Sequence, residues 1–145
     1  MSIESQRLLK DLQAELKPLV DDLRARCDDH PEVDAVVRAD WDDAAKRGRT
    51  SRSYTVWRDD HLTNVAVAWL LVLVFVRFCE DNDLMSPPLL GGTAERREVA
   101  RGHRTLYFQH HPGDGDRGWL LEGFHRARRL PGLADVLGAH SPLWS

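Results

Sequence analysis

Four basic side chains crowd one short stretch of this sequence: Lys46, Arg47, Arg49 and Arg52. Thr50, Ser51, Ser53 and Tyr54 lie among and beside them. This is the stretch best suited to touch phosphates. Lysine and arginine gain affinity for a polyanion by releasing its counterions, and hydroxyls and backbone N–H groups position it. Reading base edges needs other side chains, so such a contact would carry little sequence specificity. The same residues also read more plainly as a solvated loop. A second cluster, Glu80-Asp81-Asn82-Asp83, closes an apolar segment. Acids at a helix C-terminus oppose the helix dipole, at about 0.3–1 kcal/mol each when exposed. They therefore call for partners: Arg77, the N–H groups capping a neighbouring helix, or a basic side chain from elsewhere. Structural pairing is the commoner use of such acids.

Other candidate chemistry is thin. Ser86-Pro87-Pro88-Leu89 has the outline of an amino-methylation motif, in which a polar residue and a carbonyl hold the amine and an aromatic stacks on the flipped base. Leu89 cannot stack, and no glycine-rich turn after a strand is present to cradle a cofactor. The tetrapeptide reads as a helix connector. His110 and His111 are neighbours, so they point apart on any regular element, and no third ligand follows at zinc spacing. Asp114 and Asp116 lack the later positions of a calcium loop. Asp116 reads instead as the cap of a helix beginning near Trp119. Nothing resembles a nucleophile elbow. No catalytic, cofactor-binding or metal-binding residue is assigned.

The elements that must position these residues follow from periodicity. Leu8, Leu12, Leu16, Leu19, Leu23 and Cys27 make a helical stripe, with Pro18 expected to kink or restart it. Pro31 opens a second helix with Val33, Val36, Val37, Trp41, Ala44 and Ala45 on one face, ending at Gly48. Lys46–Ser53 reads as a loop. Asp59 or Asp60 is then expected to cap a central helix over about 61–82. Its valines also suit a strand, but no partner strand appears, and a helix satisfies its own backbone. Apolar nearly all round, it should lie amid the other helices. Helical signals return over Ala94–Gln109, again from Trp119, and finally at Leu133, Val136 and Leu137. The fold class is all-α: a single helical-bundle domain over 1–145, with about five to six helices around that buried central helix.

A length of 145 residues fits one domain and is too short for a Rossmann-like catalytic domain plus a recognition domain. The net charge of −3 excludes a basic nucleic-acid tail. It is uneven, however. Residues 1–40 carry 6 Lys/Arg against 10 Asp/Glu, and residues 85–145 carry 8 against 6, with Arg126, Arg128 and Arg129 at one helix end. Two distant cysteines, Cys27 and Cys79, fit a reducing cytosol better than a disulfide scaffold. The N-terminus lacks the apolar core of a signal peptide. The apolar run Val65–Val76 is shorter than the roughly 20 residues of a membrane span, so no membrane contact is expected.

The segment from Trp69 through Val76, Arg77, Phe78, Cys79, Glu80 and Asp81 to Asn82 carries a more specific likeness. It resembles the N-terminal helical region of BREX-type adenine-specific DNA methyltransferases, the PglX-like proteins of type 2 systems. Tyr107-Phe108, His111-Pro112, Asp116-Arg117 before Trp119-Leu120, and His140-Ser141-Pro142-Leu143-Trp144 agree with it too. The likeness marks Trp69, Arg77, Phe78, Glu80, Asp81 and Asn82 as a structural motif. In that family a much larger body follows, with the S-adenosylmethionine site, the catalytic motif and target recognition; this chain has no counterpart of them. The resemblance implies a cytoplasmic parent in phage defence that modifies DNA with S-adenosylmethionine, and no cofactor in this chain. The expected role is DNA clamping, with Lys46, Arg47, Arg49 and Arg52 as candidate DNA contacts, or docking on the methyltransferase body. The alternative is a protein-interaction module that binds another BREX component without touching DNA. The apolar pair Leu143-Trp144 suggests a segment separated from its packing partner.

Overall fold

A computed structural model describes residues 3–134 and 137–138. It contains α1 (Ile3–Asp29), α2 (Pro31–Lys46), α3 (Tyr54–Asp81), α4 (Ala94–His110) and α5 (Asp116–Ala127), and no strand among the described residues. The fold is all-α, as the periodicity predicts. The described residues form two compact units divided after Leu70, and α3 contributes to each.

In the first unit Cys27 of α1, Val37 of α2 and Leu62 of α3 form a buried core, with Leu23, Tyr54 and Trp57 packed on it. Each comes from the apolar stripe of its helix, which is why the three helices meet on these faces. Polar contacts fix their register. Tyr54 donates its hydroxyl hydrogen to Asp34 Oδ1 at 2.5 Å, and Arg58 pairs with Asp28 at 2.8 Å. Arg24 reaches Asp59 at 3.2 Å.

α1 is continuous through Pro18, contrary to the expected restart. Pro18 lies on the exposed side, while Leu12, Leu16, Leu19 and Val20 continue the inward stripe past it. The missing N–H therefore falls outside the packed face. α3 begins at Tyr54, earlier than the expected start near His61. Packing of Tyr54 and Trp57 supports the additional turns, and the Ser53 carbonyl accepts the Trp57 N–H at 3.0 Å. Asp59 and Asp60 thus sit inside the helix and pair with Arg24 and Arg52 instead of capping it.

In the second unit Val72, Val76 and Cys79 of α3 are buried, as are Met85, Leu89, Ala100, Trp119, Phe124, Ala127, Leu133 and Leu137. The connector 82–93 is therefore part of the core. A Cβ at Gly123 would stand 2.3 Å from the Leu89 side chain, so α5 can cover Leu89 only because position 123 lacks one. α5 starts at Asp116 with Gly115 as its cap residue, so Asp116 is the first helical residue and not the cap. The expected last helix is represented by turns at 131–134 and 137–138, with Leu137 N–H donating to the Leu133 carbonyl at 2.9 Å; Val136 lies outside the described residues.

α3 is not enclosed all round. Leu71 is 57% exposed and Phe78 54% exposed. Its 28 residues are long and apolar enough to cross a membrane by length and composition alone. This differs from the shorter apolar run seen in the sequence, because the helix extends well past both ends of that run.

Gly123→Ala should lower stability by about 1–3 kcal/mol, the usual cost of forcing extra volume into a packed site. A urea unfolding curve with an earlier midpoint and unchanged slope would show it.

Candidate functional site

The basic stretch is built on the end of α2. Gly48 adopts φ +69°, which glycine accommodates without a Cβ clash. Its N–H donates to the Ala45 carbonyl at 3.0 Å, and Arg49 N–H to the Ala44 carbonyl at 2.8 Å. This pair of bonds is the Schellman closure of a helix. It turns the chain so that Arg47 and Arg49 both reach one carboxylate: Arg47 Nε lies 2.8 Å from Asp43 Oδ1, and Arg49 Nη2 lies 2.7 Å from Asp43 Oδ2. Arg52 pairs with Asp60, and its carbonyl accepts the Trp41 indole N–H at 3.1 Å. Lys46, exposed in the last turn of α2, has no acidic partner among the described residues.

Of the four expected DNA contacts, three therefore face acids at ion-pair distance. Segment 40–60 carries five acidic and five basic residues, so its charge sums to zero. Beside it lies an open groove of about 390 Å³ lined by Asp40, Asp43, Ala44, Arg49, Trp57 and His61. The His61 ring stacks on Trp57 with centroids 4.7 Å apart. Burial pushes its pKa below the ordinary histidine value, with nearby Asp40 opposing. A neutral imidazole and paired arginines give this groove little attraction for a polyanion.

The motif at the end of α3 has a different character. Glu80 is completely buried. Its Oε1 accepts hydrogen bonds from the backbone N–H groups of Leu89 and, at 2.9 Å, of Leu90. Asp81 pairs with Arg77 at 3.0 Å, and Asn82 Nδ2 donates to the Phe78 carbonyl at 2.9 Å. Asp83 takes the left-handed turn position at φ 56°. The Leu84 N–H closes on the Cys79 carbonyl at 2.8 Å and the Asp83 N–H on Glu80 at 3.3 Å, a second Schellman closure. Arg96 from α4 pairs with Asp83 and donates to the Met85 carbonyl at 2.9 Å. The acids that oppose the helix dipole are thus used to hold the connector 82–93. Trp69 is partly exposed, and Phe78 stacks on Phe75 at 6.4 Å.

Sequence reasoning did not single out Arg96, which completes this clamp. Its only signal was an arginine in the first turn of a helix whose preceding loop carries Asp83. The later residues of the likeness also converge. Tyr107 stacks on His111 at 4.4 Å, lies 5.4 Å from Trp119, and donates its hydroxyl hydrogen to Asp114 Oδ2 at 2.6 Å. Arg104 pairs with Asp116 at 2.5 Å. They form the joint of α4 and α5. His140–Trp144 lie outside the described residues.

These residues do not suit S-adenosylmethionine. Ser86 and Pro87 border a cleft of only about 40 Å³ with Met85, Gly123, Arg126 and Leu130. That is space for one or two waters, at about 30 Å³ each in the liquid, and not for a nucleoside. Leu89, at the position where an aromatic would stack, is buried in the core.

Against curated proteins, the chain is 40% identical over 123 residues to the adenine-specific methyltransferase PglX of Streptomyces coelicolor, a match spanning 84% of this chain. The chain covers 10% of that protein's length. The likeness carried by the α3 motif is therefore a relation in sequence to a PglX-type methyltransferase. No family model matches the chain, and no solved structure matches it.

Two expectations follow from this geometry. Glu80→Ala leaves the buried Leu89 N–H without an acceptor, at about 1–3 kcal/mol, and the part-buried Leu90 N–H as well, at a smaller cost. Glu80→Gln, which keeps an oxygen for both, should lose distinctly less; paired denaturation curves compare them. Both tyrosines have pKa values pushed up to about 12: Tyr54 by burial and then its bond to Asp34, Tyr107 by its bond to Asp114 and then burial. The folded state holds these protons more tightly than the unfolded chain, whose tyrosines titrate near 10. The stability they contribute is full below pH about 10 and is lost as pH rises from about 10 to about 12. Phenolate absorbance followed against pH, native and denatured, measures both midpoints.

Proposed function

We propose that this chain acts as the N-terminal helical segment of a cytoplasmic, S-adenosylmethionine-dependent, adenine-specific DNA methyltransferase of a phage-defence system, and that it contributes docking and not catalysis. The single observation that carries the docking role is the uncovered face of α3. Leu71, Phe75 and Phe78 fall at i, i+4 and i+7, one side of a helix. Leu71 and Phe78 are more than half exposed. A contiguous apolar stripe on a soluble protein marks a site for another surface. The PglX relative is about ten times as long as the matching region, which supplies a candidate for that surface: the methyltransferase body.

Within this reading, the Glu80 clamp is a framework device. It keeps the end of α3 and the connector 82–93 rigid, so that the apolar stripe is presented on a fixed helix. Catalytic chemistry and cofactor binding belong to the body, in keeping with the poor fit of the Ser86-Pro87 cleft. Clamping of DNA by Lys46, Arg47, Arg49 and Arg52 is the weaker form of the proposal, because Asp43 and Asp60 already engage three of these side chains.

A second reading has its own support. Residues 1–40, which include α1, carry 10 acidic against 6 basic residues, a net −4 that disfavours DNA and suits a basic protein. This favours an interaction module directed at another defence component. The two readings differ in the partner that the α3 stripe recognises.

Phe78→Glu separates docking from folding, because the side chain is exposed and its loss should leave helicity and melting unchanged. The wild-type chain should bind the separately produced methyltransferase body, and the variant should bind at least tenfold more weakly in calorimetry. Equal binding by the two proteins would refute the assignment of the face. Binding to a different defence component, with none to the body, would favour the second reading.

A further inference from the structure

We infer that the C-terminal end of α5 is a contact for the phosphodiester backbone of nucleic acid, a place that the basic stretch after α2 does not fill. The choice of ligand rests on the DNA-methyltransferase reading above. His125, Arg126, Arg128 and Arg129 line an open groove of about 390 Å³ together with one acid, Glu122. With His125 neutral, segment 122–129 carries a net +2. Arg128 and Arg129 are exposed and have no acidic partner among the described residues. Arg126 is half-buried, with its guanidinium 5.5 Å from the centre of the Trp119 ring. Its Nε is buried and has no hydrogen-bond partner. The basic stretch after α2 is the opposite case, each of its arginines meeting a carboxylate.

The form of the ligand follows from the geometry. Arg126, Arg128 and Arg129 lie within three positions of one another at the end of α5 and repel, so this arrangement is relieved by an external anion. A helix C-terminus presents carbonyl oxygens, which favour the arginines but repel a small anion seated on the backbone. The arginines must therefore bind at the reach of their side chains, on an open surface. That suits successive phosphates of an extended polyanion better than one enclosed phosphate ion. Apart from His125 the groove is lined by charged side chains that suit phosphates, and no Asn or Gln amide lines it to read a base edge, so recognition is largely independent of sequence.

The test is fluorescence anisotropy of the full 145-residue chain with a labelled duplex over a range of salt. The wild type should bind at low salt. The double variant Arg128→Gln/Arg129→Gln should bind at least tenfold more weakly, with its log–log salt slope reduced by about two. The charge-keeping double variant Arg128→Lys/Arg129→Lys should retain the slope, and Arg47→Gln/Arg49→Gln should stay within twofold of wild type. Circular dichroism confirms that each is folded. Inorganic phosphate at matched ionic strength should not compete, and vesicles rich in phosphatidylserine should bind less tightly than duplex. Unchanged affinity and slope in Arg128→Gln/Arg129→Gln would overturn the inference. So would no wild-type binding, displacement by inorganic phosphate, or a preference for vesicles. The body-binding calorimetry is unaffected by these outcomes, so the docking proposal stands or falls separately.

Discussion

The second unit depends on one buried carboxylate. Glu80 sits at the end of an apolar helix with no exposed surface, and its Oε1 takes the backbone N–H groups of Leu89 and Leu90. Burying a carboxyl group is costly unless it is hydrogen-bonded, and here Oε1 is bonded while the buried Oε2 has no hydrogen-bond partner among the described residues. Here the bonds go to a connector rich in proline and glycine, which has few other ways to satisfy its amides. The position of Leu89 follows, because its own N–H is one of the two held. Leu89 then fills the space that Gly123 leaves open, and α5 lies against it. Arg96 secures the other end of the connector through Asp83 and the Met85 carbonyl. One carboxylate thus links the end of α3, the connector and the seat of α5.

Much of this was legible beforehand, and the reasons are specific. The stripes of α1 and α2 were strong because apolar residues recurred at three and four positions over several turns. Pro31 and Gly48 marked their boundaries through backbone geometry that few other residues suit. The need for partners around Glu80–Asp83 was readable from the helix dipole, and Arg77 was found. The identity of the main donors was not, because a backbone N–H leaves no trace in residue type. The start of α3 was missed for a related reason. Asp59 and Asp60 look like caps in sequence, and only Arg24 and Arg52 in space show that they are paired within the helix.

The candidate DNA contacts show the same limit more sharply. Counting charges in a short window singled out Lys46, Arg47, Arg49 and Arg52. Folding brings Asp43 and Asp60 among them, and the local field largely cancels. The arginines of α5 were noticed as a helix-end cluster, but their exposure, and Glu122 as the one acid lining their groove among the described residues, are properties of the fold. Likewise the apolar character of α3 suggested enclosure. The structure instead leaves Leu71 and Phe78 outward, and that exposure is what gives the chain a surface to offer. The relation to PglX links these features: a helical segment whose Ser86-Pro87 cleft has no room for a nucleoside, related to a region one tenth the length of an adenine-specific methyltransferase.

The central claim is that the outward face of α3 is covered by the methyltransferase body. Hydroxyl-radical footprinting reads that directly, by comparing side-chain oxidation at Leu71, Phe75 and Phe78 in this chain alone and in a methyltransferase polypeptide that carries it at its N-terminus. Covering predicts several-fold slower oxidation of these three side chains in the longer protein, with exposed Leu8 and Leu9 of α1 unchanged. Equal oxidation of Leu71, Phe75 and Phe78 in the two proteins would contradict it.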